Sequence, residues 1–263
     1  MKKRVAEFAS EAALCARFIA AVAAPDDRLT RQRPPDWTAY PETGGFDILL
    51  VRREDGFQIG IEAKLHLNQT VLAQALEGSS WYAPLEPGPD CRAVLVPDGS
   101  GREPLSLIAA YCGITIIRCR GETSPYGPVF QPYLPNRAMT WQADPYWHEN
   151  LPTRRVALPD YVPDVAAGCA APVKLTTWKI GAIRLAILME RRGFVTRADF
   201  AHLKIDHRRW VGERWIDVDG ARGGWVKGPN WPDFAGQHPK NYAEIAADFD
   251  RWAPPGALAG VPS

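Results

Sequence analysis

Between residues 37 and 65 the apolar and polar positions fall into three short runs, "WTAYPE", "GGFDILLVR" and "GFQIGIEAKL", which predict three consecutive β-strands. The last two are joined by "REDG", a polar link with glycine placed for a hairpin. On either side the period lengthens. Residues 4–23 carry Phe8, Cys15, Phe18, Ile19 and Val22 at spacings of three and four, the mark of a helix with one buried face that ends before Pro25. "NQTVLAQALEGSSWY" has helical spacing with Asn68 as its N-cap, "CRAVLVP" predicts a strand, "EPLSLIAAYCG" a helix closed by Gly113, and "ITIIRCR" a last strand. The order helix, three strands, helix, strand, helix, strand implies an α/β fold whose mixed sheet is flanked by helices on both faces.

From 121 to 173 the pattern gives way to Pro, Gly, Tyr and Trp with little periodicity, which reads as an ordered excursion followed by a linker. Helical spacing returns in "TTWKIGAIRLAILMERRG", in "TRADFAHLKI" with Thr196 as N-cap, and in "DHRRWVGERW" opened by Asp206. "WIDVDGARGGWVKG" then alternates and turns on glycines, as a small hairpin does. Three helices followed by a hairpin outline a winged helix-turn-helix. The expected organisation is therefore a first domain over 1–120, the excursion over 121–173, and a winged-helix-like domain with a C-terminal extension over 174–263.

Composition narrows this picture only modestly. With 263 residues, 46% of them hydrophobic, the chain has material for two cores, and with 23% charged residues and a net charge of +1 any nucleic-acid surface must be a local patch. Five cysteines, odd in number, scattered and without a CxxC pair, argue against a disulfide framework and a structural zinc site. The N-terminal segment has the basic start of a signal peptide, but Glu7, Glu11 and Arg17 interrupt what should be an apolar stretch. A soluble, cytoplasmic protein is expected.

The chemistry concentrates where the second and third strands meet. Side chains alternate along a strand, so Glu62 and Lys64 project from one side about 7 Å apart, and Ala63 from the other. A neighbouring strand that brings Asp47 beside them gathers two carboxylates and a lysine at one sheet edge. Two carboxylates plus a backbone carbonyl suit a hard divalent cation such as Mg²⁺, which activates water and stabilises charge on a phosphoryl group. The competing reading is an ion pair between Glu62 and Lys64 at a strand end, with Asp47 capping the turn after Gly44 and Gly45. The apolar "QIGI" before Glu62 favours the metal site, because buried charges need partners or an ion.

With "FD" at Asp47 and "IGIEAK" at Glu62 and Lys64, residues 4–120 resemble the PD-(D/E)xK nuclease superfamily, whose restriction-endonuclease-like core has this element order. Phe46 stands where the family's name has proline. The resemblance implies metal ligands Asp47, Glu62 and the carbonyl of Ala63, with Mg²⁺ as cofactor and Mn²⁺ as a substitute, and Lys64 as the catalytic lysine. It further implies an accessory acid from the first helix, for which Glu11, lying in that helix's apolar stripe, is the candidate, and a glutamine after the ExK strand, for which Gln74 is. Glu11 equally admits a solvated role at the stripe's edge, whereas Gln74, flanking the apolar face of Val71, Leu72, Ala75 and Leu76, reads better as a solvated residue. His66 continues the Glu62 face but reads better as a surface residue, and Glu42 reads better as part of the turn.

A second constellation is basic. Between Lys174 and Lys227 bases outnumber acids about two to one, although the whole chain is balanced. Lys204, His207, Arg208 and Arg209 fall before and within the third helix, where a recognition helix enters a major groove, while Arg222 and Lys227 flank the hairpin glycines. Trp210, Trp215 and Trp225 read as core and hairpin supports. The expected activity is metal-dependent phosphodiester hydrolysis of nucleic acid, DNA foremost. The alternative is a noncatalytic DNA-binding, regulatory or adaptor protein on the same scaffold. Cleaving both strands of a duplex takes two active sites, which leaves a homodimer or a partner subunit open. No P-loop, Rossmann fingerprint, nucleophile elbow or HExxH motif is present.

Overall fold

The computed structural model describes residues 7–24, 37–77, 87–100, 103–122, 127–135, 146–169 and 174–258. The chain forms two compact units, one comprising 1–158 with 166–172 and the other 159–165 with 173–263. The excursion is thus divided between them. Among the described residues no helix is long and apolar enough to cross a membrane.

In the first unit, α1 (Glu11–Ala23) is followed by β1 (Trp37–Thr43), β2 (Phe46–Arg52) and β3 (Gln58–Ala63), then α2 (Gln69–Leu76), β4 (Cys91–Pro97), α3 (Glu103–Tyr111), β5 (Ile114–Cys119) and the short β6 (Phe130–Gln131). The strands form one mixed sheet in sequence order. β2 runs antiparallel to both β1 and β3, β3, β4 and β5 run parallel, and β6 closes the edge antiparallel to β5. The meander needs only tight turns, whereas the two parallel pairs need the crossovers that contain α2 and α3.

α1 is shorter than its apolar spacing predicts. Ser10 takes the N-cap, its side chain accepting the Ala13 N–H, so the helix starts at Glu11 and Phe8 is buried from a non-helical segment. Asn68 caps α2 through the Val71 N–H, and the predicted continuation of that helix past residue 77 lies outside the described residues. One sheet face packs Ile48, Leu50, Ile59, Ile61, Ala93 and Leu95 against Leu14, Cys15 and Phe18 of α1. On the other face Val94, Val96 and Ile114 pack against Val71, Leu72 and Ala75 of α2, while Phe46, Leu49 and Val51 form a separate cluster with Tyr40 and Val156.

Val156 is held there by Gln58, whose side-chain amide donates to the Val156 carbonyl and accepts its N–H, both at 2.9 Å. Part of the excursion thus straps the β2–β3 region. The hairpin between those strands is clamped by Arg52, which makes two 2.8 Å hydrogen bonds to the Asp55 carboxylate. That pairing, with the Phe57 N–H, lowers the Asp55 carboxyl from its ordinary 3.8 to about 2. A lowered folded value means the contribution is present above the ordinary value and is lost as pH falls toward the folded one. Asp55→Asn should therefore lower the thermal midpoint at pH 7 and converge on wild type as pH drops from 3.8 toward 2; a pH-independent difference would show that the ion pair contributes nothing.

The second unit contains α4 (Thr177–Arg192), α5 (Arg197–His202), α6 (His207–Gly212), the hairpin β7 (Ile216–Asp219) and β8 (Gly224–Lys227), then α7 (Phe234–Gln237), α8 (Pro239–Ala247) and α9 (Phe249–Trp252). α4 runs between the Thr176 cap and Gly193, whose φ of 82° is the left-handed conformation that ends a helix. Val195 bridges antiparallel to Trp225 of β8, which adds a one-residue third strand to the hairpin. Thr196 and Asp206 cap α5 and α6, but α6 stops at Gly212, well short of the ten-residue pattern that predicts it. The core centres on Trp210, fully buried among Phe200, Trp215 and Phe234.

Candidate active site and basic surface

Strand register alone assembles the acids. β2 and β3 pair Leu49 with Gly60 and Ile48 with Ile61, so the next step along both strands brings Asp47 opposite Glu62. β1 and β2 pair Pro41 with Ile48 and Thr43 with Phe46, which brackets Glu42 opposite Asp47. Three acidic residues thus hold neighbouring register positions on three adjacent strands. Gly44 and Gly45, at φ 68° and 90°, form the two-residue turn that sets this register, a conformation other residues adopt only with strain.

Asp47 reaches across to β3. Its Oδ2 accepts the Ala63 N–H at 2.8 Å, which fixes the carboxylate against the end of β3. Glu62 lies at the carboxyl end of β3 with only 8% of its surface exposed, and among the described residues no hydrogen bond reaches its carboxylate. Burial first, then the charges of Asp47, Glu77 and Glu42, raise its carboxyl from the ordinary 4.5 to about 8, and Lys64 only partly offsets them. Nearby on β4, the buried Arg92 donates instead to the carbonyls of Ala75 and Glu77, at 2.7 and 2.8 Å.

Lys64 sits one residue past β3, where its N–H bonds to the Leu95 carbonyl at 3.0 Å. Its ammonium lies 3.0 Å from Glu11 Oε2, with both side chains about 30% exposed. The lysine's ion-pair partner is therefore the first residue of α1, not Glu62. Glu42 has the strained φ of 51°, and its Oε1 accepts the Gly168 N–H at 2.9 Å. It belongs to the acid row as well as to the turn. Cys15, also buried beside this cluster, has its thiol pushed up by burial and by the charges of Asp47, Glu42 and Glu11. Only its place in the α1 stripe hinted at that neighbourhood.

Gln74 is half-buried on α2, and among the described residues no hydrogen bond joins it to Asp47, Glu62 or Lys64. His66 is exposed. It lines an open cleft of about 620 Å³ with Asn68, Thr70 and Ser100, where β3 and β4 end. Among the described residues no three His, Cys, Asp or Glu side chains converge as a ready-made metal cluster. The donors available to an ion are the Asp47 and Glu62 carboxylates with backbone oxygen. That sparse set fits Mg²⁺, which binds through one or two carboxylates and keeps its waters, and an ion there would supply the positive charge the Glu62 carboxylate lacks.

On the second unit the six basic candidates divide. Lys204 and Arg208 are exposed, and their side chains have no ionic partner among the described residues. Arg209 instead stacks on Trp178 and Trp215, 5.2 and 5.5 Å from the ring centroids, and His207 packs against Phe200 and Trp225. Arg222 pairs with Asp219 at 3.0 Å, and Lys227 lies 3.7 Å from Glu190 and over Trp231. Comparison of the chain with protein-family models, curated proteins and solved structures finds no match.

Proposed function

We propose that the chain is a metal-dependent nuclease of the PD-(D/E)xK type that acts on DNA. The observation that carries this reading is Glu62, a buried carboxylate without a hydrogen bond among the described residues, set beside Asp47 and two residues before a lysine. Ionising a carboxyl so placed is expensive unless a cation completes the site. The order α1, β1–β3, α2, β4 and the position of both acids at the carboxyl end of β3 support the same assignment.

In this reading Asp47, Glu62 and the Ala63 carbonyl hold Mg²⁺. When bound, the ion lowers the pKa of a coordinated water and offsets charge on the scissile phosphate. Lys64 positions the attacking water and neutralises the charge that develops on the phosphoryl oxygens, and Glu11 orients the ammonium that does so. The second unit reads as a winged helix, because α4, the Val195 bridge, α5, α6 and the β7–β8 hairpin follow that order. It recruits nucleic acid through Lys204 and Arg208.

Incubating plasmid, linear and single-stranded DNA with Mg²⁺, Mn²⁺ or EDTA tests the reading. Cutting that appears with metal and stops with EDTA is the expected result. A second reading, a DNA-binding protein on a noncatalytic scaffold, is favoured by the Lys64–Glu11 pair, which occupies the ammonium that the chemistry needs. It predicts binding that is indifferent to metal and accompanied by no cleavage. Recruitment has its own test. Lys204→Ala and Arg208→Ala should each weaken DNA binding for all sequences and reduce the slope of log K against log salt by about 1. Arg209→Ala should leave that slope unchanged and act on the stability of its tryptophan stack.

A further inference from the structure

We infer that Phe46 and Gly60 form a positioning couple for Asp47, a role that rests on the nuclease reading above. Gly60 is the β3 residue that faces Leu49 on one side and Arg92 on the other in the sheet register. Having no side chain, it leaves a slot on the sheet surface, and the Phe46 ring fills it. A Cβ on Gly60 would fall 2.6 Å from two atoms of that ring, closer than any side chain can sit without displacing it.

The ring has a second neighbour. The Arg92 guanidinium carbon lies 5.4 Å from the ring centroid, and its hydrogen bonds to Ala75 and Glu77 hold it at the end of α2. Phe46 thus packs over Gly60 and clusters with Leu49 and Val51, with 7% of its surface exposed. The next residue is Asp47. Its carboxylate meets the Ala63 N–H only if the first residues of β2 keep their place across β3, and the ring in the Gly60 slot enforces that placement. Glu62 stands on the same strand two residues beyond Gly60, so one stack references both acids to a single strand.

Because neither residue carries a ligand atom, the couple acts through Asp47, and its loss should show in the metal requirement. Phe46→Ala and Gly60→Ala are each expected to raise the Mg²⁺ concentration for half-maximal cleavage by about 10- to 100-fold, the size of effect seen when a ligand's supporting partner is removed. DNA affinity measured in EDTA should stay at the wild-type value. In the double variant the small residue at 46 makes room for the new methyl group, so the shift should not exceed the larger single one. An unshifted metal requirement, multiplicative effects in the double variant, or a parallel loss of DNA affinity would each overturn the inference. Should Phe46→Ala unfold, Phe46→Leu, which keeps apolar bulk, is expected to shift the requirement in the same direction by less. Mn²⁺ titration by calorimetry separates this claim from the one beneath it. A wild type that neither binds Mn²⁺ nor cleaves overturns both, whereas an active wild type with unshifted variants overturns the couple alone.

Discussion

Glu62→Ala and Lys64→Ala should each reduce Mg²⁺-dependent DNA cleavage by about 10²-fold or more, while the variants keep the wild-type circular dichroism spectrum and DNA affinity. The two losses have different origins. In the proposed site, removing the Glu62 carboxylate would take away one of two side-chain donors to the ion, so excess Mg²⁺ or Mn²⁺ should recover part of its activity. Removing the Lys64 ammonium leaves the donors intact, so no metal concentration should restore it. Glu11→Gln removes the charge that lies 3.0 Å from that ammonium and should cost less than Lys64→Ala, because it releases the group rather than deleting it. Cleavage that persists in Glu62→Ala at unchanged rate would place the chemistry elsewhere in the chain.

Much of the first unit is legible in its sequence because each strand is a short apolar run closed by a turn, and the turns fix the register. Once Gly44–Gly45 and "REDG" are read as tight connections, Asp47 must lie near Glu62. The same argument carried one strand further places Glu42 in the row; reading it as a turn residue alone stops that argument a step short. What the pattern does not show is set by contacts distant in sequence. β6 is two residues long and exists by pairing with β5. α7 and α9 have four residues each, too few to be stable helices alone, and are held by buried Phe234, Phe249 and Trp252. Phe8 carries the apolar stripe past the true helix start because burial, not helicity, selects its side chain.

Charge counting has a similar limit. Twofold enrichment in bases between Lys174 and Lys227 says how much charge is present but not where each side chain goes. Trp178 and Trp215 engage Arg209, Phe200 and Trp225 engage His207, and Asp219 and Glu190 engage Arg222 and Lys227, so the candidates left without such a contact among the described residues are Lys204 and Arg208. Likewise, no spacing rule pairs Lys64 with a glutamate 53 positions earlier. That contact follows from how α1 packs on the sheet, and it gives the lysine an ion-pair partner other than Glu62.

Glu62→Gln should make the metal-free protein more stable than wild type, increasingly so as pH rises from 4.5 to about 8. The sign follows from linkage. In the unfolded chain the carboxyl ionises near 4.5, whereas in the folded site burial and the charges of Asp47, Glu77 and Glu42 hold its proton until about pH 8. Across that interval the unfolded state gains from ionising and the folded state does not, so wild type loses stability with each pH unit, and above it the loss is constant. Glutamine has no proton to hold and escapes the loss. At about 1.4 kcal/mol per pH unit, the difference should reach several kcal/mol, read as a higher midpoint for the first unit's unfolding transition. Mg²⁺ should close the gap from the other side, because an ion that binds only the folded, ionised site stabilises wild type and not the variant. An equal midpoint at pH 9 would mean that Glu62 ionises freely, and the cost of ionising it on which the nuclease reading rests would not exist.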